Sequence, residues 1–270
     1  MTAATFSVFP ATERIKGTPM EVKTLLWRRL LAGLLAGIAA FGFAKVAGEP
    51  SVGRAISFEE QLDAARGKPA HTGPVSRGVQ STIGLATATL VIGVALGGLF
   101  ALVFAYAHGR VGPSTPRARA ALIAGAALTS VYVVPFLKYP PNPPSIGNPD
   151  TIGHRSALYF MMIGLSVLLM VGAVGLWRRL RTGLEAWDAS IVTGLVYATV
   201  VAISYAAMPG VNEAPEGFPA ETLFKFRMAS LGIQMVMWAT IGLAFGYLTE
   251  RALTGPARAR RAAASPIAGL

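Results

Sequence analysis

The chain has 270 residues, 53% hydrophobic and 14% charged, and a mean hydropathy of +0.52; its apolar residues fall in blocks of about 20 rather than at amphipathic spacing, which excludes a soluble fold. Cysteine is absent, so disulfides, thiolate metal sites, iron–sulfur clusters and cysteine nucleophiles are excluded together. The net charge of +11 would suit nucleic acid if it were clustered on one face, but the charges flank the apolar blocks, so no nucleic-acid partner is expected.

In chain order, residues 1–22 read as a polar cytoplasmic segment. Its first basic cluster comes late and no cleavage site follows a short apolar core, so it does not read as a signal peptide. Trp27-Arg28-Arg29 then anchors the first of six segments able to cross a bilayer: 30–47, 79–107, 120–137, 156–177, 189–208 and 228–249. At 1.5 Å per residue, about 20 residues cover the roughly 30 Å of hydrocarbon. Only the first carries a charge, Lys45, placed near its outer end where it can snorkel.

With the N-terminus inside, the inner segments hold 15 of 24 Lys and Arg and 5 of 13 Asp and Glu, so the inner side is net +10 and the outer side +1. Positive-inside bias puts both termini in the cytoplasm. The fold class expected is all-α, a polytopic membrane helical bundle with six transmembrane helices. Residues 23–250 form its membrane domain, in contact with the lipid bilayer, and 251–270 a basic, loosely ordered cytoplasmic tail.

The three outer connections, 48–78, 138–155 and 209–227, are the long ones. In the first, Ser57 followed by Glu60 reads as the capped start of a short surface helix. The second and third share a pattern. Asp150-Thr151-Ile152 leads to Arg155, and Glu221-Thr222-Leu223 leads to Arg227. Either acid and threonine cap a helix start, or spans 3–4 and 5–6 are duplicated hairpins whose acids converge on one outer vestibule. Glycine pairs at four-residue spacing, Gly33/Gly37, Gly93/Gly97 and Gly242/Gly246, allow close helix approach in a packed bundle or at a homo-oligomer seam.

No span carries a carboxylate or histidine near its centre, which argues against a carrier driven by a buried acid. Met161, Met162, Met228, Met235 and Met237 serve either packing or transient metal contact. His108 reads as interfacial and His71 as an outer-side residue. His154 sits close in sequence to Asp150, a pairing that suits cobalt, nickel or zinc better than magnesium or calcium. No Walker A, HExxH or dinucleotide glycine motif occurs, so an enzyme is not expected.

The third span ends in Pro135-Phe136-Leu137-Lys138-Tyr139-Pro140-Pro141-Asn142-Pro143-Pro144. Prolines without N–H hold such a strand extended. It is either a rigid staple or an entrance where free carbonyls and Asn142 line an ion's path. A cation at Lys138 would repel a dication there unless an acid neutralised it, and Glu213 or Glu221 is the expected partner.

That string, followed by Asp150-Thr151-Ile152 and Arg155, resembles the CbtA family of predicted cobalt transporter subunits. Supporting matches are Glu49-Pro50, Ala55-Ile56 and Glu59-Glu60 after the first span and Phe226-Arg227-Met228-Ala229-Ser230-Leu231 at the start of the sixth. The resemblance covers roughly residues 23 to 250. It implies a multi-pass protein of the bacterial inner membrane that takes up Co2+ for cobalamin biosynthesis beside a small one-span, histidine-rich partner, CbtB. It also implies five spans, against six by hydropathy. The function expected is a permease subunit for a divalent transition metal, cobalt by resemblance, with no permanently bound cofactor. Candidate metal-contacting residues are Asp150, His154, Glu221 and Asn142. The alternative is a non-transporting structural or assembly subunit of a larger membrane complex.

Overall fold

The computed structural model describes the backbone at 19–67, 75–107, 115–144, 146–147, 149–211, 215 and 217–264. Six helices are long and apolar enough to cross a membrane: Leu30–Ala65, Arg77–Ala107, Pro116–Lys138, Ile152–Leu180, Ala186–Ala207 and Ala220–Ala252, called spans 1 to 6 below. The hydropathy count of six therefore stands, and among the described residues there is no strand. Two spans start on side-chain caps. Ser76 accepts from the Val79 N–H at 3.5 Å, and Thr115 accepts from the Ala118 N–H at 3.2 Å with Pro116 at the first helical position, where a missing N–H is harmless.

Spans 1, 2, 3 and 6 form the packed centre. Span 1 lies against spans 2 and 6, and span 3 against span 6. The first of these contacts is backbone to backbone: a Cβ added to Gly93 would lie 2.5 Å from the Gly33 oxygen and 2.8 Å from the Gly37 nitrogen. Ala32, Ala36 and Ala40, one face of span 1, are fully buried. Span 6 meets span 3 the same way, since a Cβ on Gly242 would come 2.7 Å from the Ala124 Cβ. Without a hydrophobic driving force between helices in lipid, this small-residue fit supplies the contact energy. Phe245 closes the centre, edge-on to Phe100 and Phe104 with centroids at 5.2 and 4.9 Å.

Spans 4 and 5 make an antiparallel hairpin beside this centre, its register marked by the Trp177 indole N–H donating to the Ser190 hydroxyl at 3.1 Å. Span 4 reaches span 3, and span 5 rests on span 4. The proposed hairpin duplication is not matched by packing: span 3 touches both spans 4 and 6, whereas span 5 packs on span 4 instead of span 6. The shared acid–Thr–aliphatic pattern marks two helix starts in unlike surroundings.

Two further expectations are corrected. Span 1 does not stop at 47; it passes through a π-helical turn, Ala44–Gly48, and runs on as Glu49–Ala65. Ser57 is therefore mid-helix instead of capping a separate one. Ser51 and Ala55, both buried, pack this extension on span 6, and that contact outweighs the local stop signal of Glu49-Pro50. Likewise span 6 continues as helix to Ala264 through Gly255-Pro256, where a loose tail was expected.

Spans 1, 2 and 3 each contain a π turn at the end carrying the long connections: Ala44–Gly48, Gln80–Gly84 and Leu128–Val133. Two have a visible cause. Pro50 and Pro135 each lie two residues beyond such a turn, and a proline removes the N–H that would bond four residues back while its ring crowds that carbonyl. Widening the preceding turn relieves both.

Candidate functional site

The proline string is anchored at both flanks. Lys138 ends span 3, and its ammonium donates to the Tyr205 carbonyl at 2.7 Å and the Met208 carbonyl at 2.8 Å. These are terminal carbonyls of span 5, which lack intrahelical donors and sit at the negative end of its dipole. The expected acid partner is thus replaced by a helix terminus. Glu221 is bound to Lys225 instead, and Glu213 lies outside the described residues. Next along, the buried Tyr139 hydroxyl donates to the Pro209 carbonyl at 2.8 Å. Burial pushes this phenol above its ordinary range, so it stays a donor. The Tyr205 hydroxyl returns the contact, donating to the Val134 carbonyl.

From the other side, Arg227 of span 6 donates through Nε to the Pro141 carbonyl at 3.3 Å and through Nη2 to Asn142 Oδ1 at 3.1 Å. Downstream, Gly147 holds φ +123°, and a Cβ there would lie 2.6 Å from the Arg155 guanidinium. Residues of spans 3 to 6 therefore all grip one short segment, with Pro143 fully buried within it. This arrangement fits a staple, since the Pro141 carbonyl and the Asn142 oxygen already have cationic donors.

The four candidate metal contacts fall into two places. Asn142, Asp150 and His154 belong to the connection between spans 3 and 4; Asp150 is exposed in the 3-10 turn Pro149–Thr151 and His154 is exposed just inside span 4. Glu221 is exposed on the first turn of span 6. Among the described residues no three His, Asp or Glu side chains gather as a metal group; His71 and His108 lie outside those residues. Of the methionines, Met162 and Met237 are buried, whereas Met161, Met228 and Met235 face outward from the bundle. Lys45 donates to the Ser81 carbonyl at 3.0 Å and its hydroxyl at 3.3 Å, joining the π turns of spans 1 and 2. Beside it Arg77 and Glu49 pair at 2.5 Å.

A second set was missed by the sequence reading. Hydroxyls inside membrane helices usually bond back to the carbonyl one turn earlier, as Thr89, Thr129, Ser130, Ser190, Ser204 and Thr240 do here. Ser166 and Thr193 do not. Both are buried, and their hydroxyls, with that of Tyr197, have no hydrogen-bond partner. Ser166 is one turn from the fully buried Met162 on span 4, and Thr193 one turn from Tyr197 on span 5. Met162 and Tyr197 belong to the same apolar cluster. Spans 4 and 5 thus carry three buried hydroxyls with no partner among the described residues, in a low-dielectric setting where an unmet hydroxyl is costly. The available signal was Ser and Thr at positions facing a helix partner, too common in membrane helices to single these out.

Comparison with curated proteins and with solved structures finds no match. A family profile described as "Probable cobalt transporter subunit (CbtA)" matches residues 22–250, which takes in spans 1 to 5, the stapled proline string and all but the last two residues of span 6. On that match the chain belongs to the CbtA family, as a cobalt transporter subunit of the membrane.

Proposed function

We propose that this subunit is itself a permease for a divalent transition metal, Co2+, with its three long connections on the outer side and both termini in the cytoplasm. The family match carries the cargo. The unmet hydroxyls of Ser166 on span 4 and of Thr193 and Tyr197 on span 5 support the permeation role. A partly hydrated cation can exchange water for such neutral oxygen ligands, with no fixed carboxylate to trap it. At the outer face Asp150 and His154 would collect the ion. Asn142 and Glu221 would join only as the ion displaces Arg227 and Lys225 from them. A small histidine-rich partner would deliver or receive the metal.

The test is Co2+ accumulation in vesicles carrying this chain, with and without that partner. Uptake is expected to need this chain and to fall about tenfold or more in a Ser166→Ala, Thr193→Val double variant that keeps normal abundance, since losing a ligating oxygen pair costs upwards of about 1.4 kcal/mol at the barrier. Uptake by the partner alone, unaffected by adding this chain, would leave the structural-subunit reading in its place.

Sidedness has its own check. The cysteine-free chain allows single-cysteine labelling in intact cells. Ser57→Cys, exposed on the extension of span 1 past its π turn, should react with an impermeant thiol reagent. Thr182→Cys, exposed between spans 4 and 5, should react only after permeabilisation. The reverse pattern would invert the topology.

A further inference from the structure

An open cavity of about 430 Å³ lies between the extension of span 1 and the first turn of span 6, lined by Pro50, Gly53, Arg54, Ser57, Phe58, Gln61, Pro219 and Thr222. Its chemistry is unlike a cation site. Among the described residues no carboxylate lines it; the lining offers a guanidinium, two hydroxyls, an amide and an aromatic ring. Thr222 is 95% buried by its 5% exposure; its backbone N–H donates to the Pro219 carbonyl, and among the described residues its hydroxyl has no hydrogen-bond partner. Arg54 makes a single long one, 3.4 Å to Ser51 Oγ.

The surroundings add positive potential. The cavity opens at the N-terminal turn of a 45-residue helix, the positive end of its dipole. Glu221 beside it is within electrostatic reach of Arg54 but is already ion-paired with Lys225. Phe58 is held edge-on to Phe218 with centroids at 5.2 Å, which fixes the wall.

We infer that this cavity is an oxyanion site, taking a carboxylate- or phosphate-bearing group whose oxygens bond to Arg54 and the Thr222 hydroxyl. Arg54 provides the charge and the forked donors; Thr222 provides a hydroxyl on the cavity wall. The occupant is either a small free anion or the headgroup of an anionic lipid, because the same donors recognise both. The site does not rest on the transport reading.

Full-length protein in detergent, free of metal, is titrated calorimetrically with citrate and separately with inorganic phosphate. The same protein is reconstituted with phosphatidylcholine and phosphatidylglycerol, and retained lipid is read by native mass spectrometry. Two variants accompany it: Arg54→Gln removes the charge, and Gly53→Leu fills the cavity from a position where an added Cβ meets nothing within 4 Å. Both should elute as wild type on gel filtration. Saturable citrate or phosphate binding that weakens about tenfold or more in each variant identifies a free oxyanion. Phosphatidylglycerol retained by wild type and lost by both variants identifies a lipid headgroup. Absence of every such binding, or binding that survives both variants, overturns the site. As no metal is present, either failure leaves the Co2+ reading untouched.

Discussion

Replacing Gly93 by leucine is expected to remove most of the folded protein. The clash is with main chain, the Gly33 carbonyl at 2.5 Å and the Gly37 nitrogen at 2.8 Å from the new Cβ, so no rotamer relieves it. The only adjustment is to separate spans 1 and 2, and with them the alanine face at Ala32, Ala36 and Ala40. Overpacking of this kind costs about 3 kcal/mol and more where backbone cannot yield. Gly98→Leu on the same helix is the control, because a Cβ there meets nothing within 4 Å; its effect should stay within about 0.5 kcal/mol. Thermal aggregation followed by fluorescence-detected gel filtration reads both. Equal midpoints for the two variants would show that the contact contributes nothing.

Lys138→Met is expected to free the end of span 5. The ammonium holds two carbonyls at 2.7 and 2.8 Å, and methionine keeps the length and apolar stem but leaves both without a donor. Charged hydrogen bonds contribute about 1.5–3 kcal/mol each, less where water can replace the donor, so a loss of about 2 kcal/mol is expected. It should be local. Span 5 reaches the bundle through span 4 and these few bonds, so backbone hydrogen exchange should rise at 205–211 and stay unchanged in spans 1, 2 and 6. Unchanged exchange at 205–211 would show that the Tyr139 and Tyr205 bonds suffice alone.

The contrast between these residues shows what was legible in sequence. Six spans could be counted because burial in lipid demands long apolar runs, and Gly33, Gly37 and Gly242 could be marked as contacts because close approach demands small residues. Neither inference needs to know which helices are neighbours. Lys138 could be marked as a cation needing a partner, yet the true partner could not be named. Local rules propose side-chain acids, while the carbonyls of Tyr205 and Met208 become acceptors only when span 5 ends beside span 3. Ser57 failed for a related reason: its capping pattern is real, but Ser51 and Ala55 pack on span 6 and keep the helix going. Ser166 and Thr193 were invisible, because a hydroxyl that bonds its own helix and one that does not have the same sequence.

An α-helix turns about 100° per residue, so each added residue in a π turn rotates everything beyond it by about that angle. Spans 1, 2 and 3 carry such turns at the same end, and each is therefore two helices with separate phases. The phase on one side of the turn is fixed by glycines and alanines in contact. The phase on the other aims Lys45 at Ser81, Glu49 at Arg77 and Arg54 at its cavity. Gain or loss of one residue at these turns re-aims the charged half and leaves the glycine seam in register.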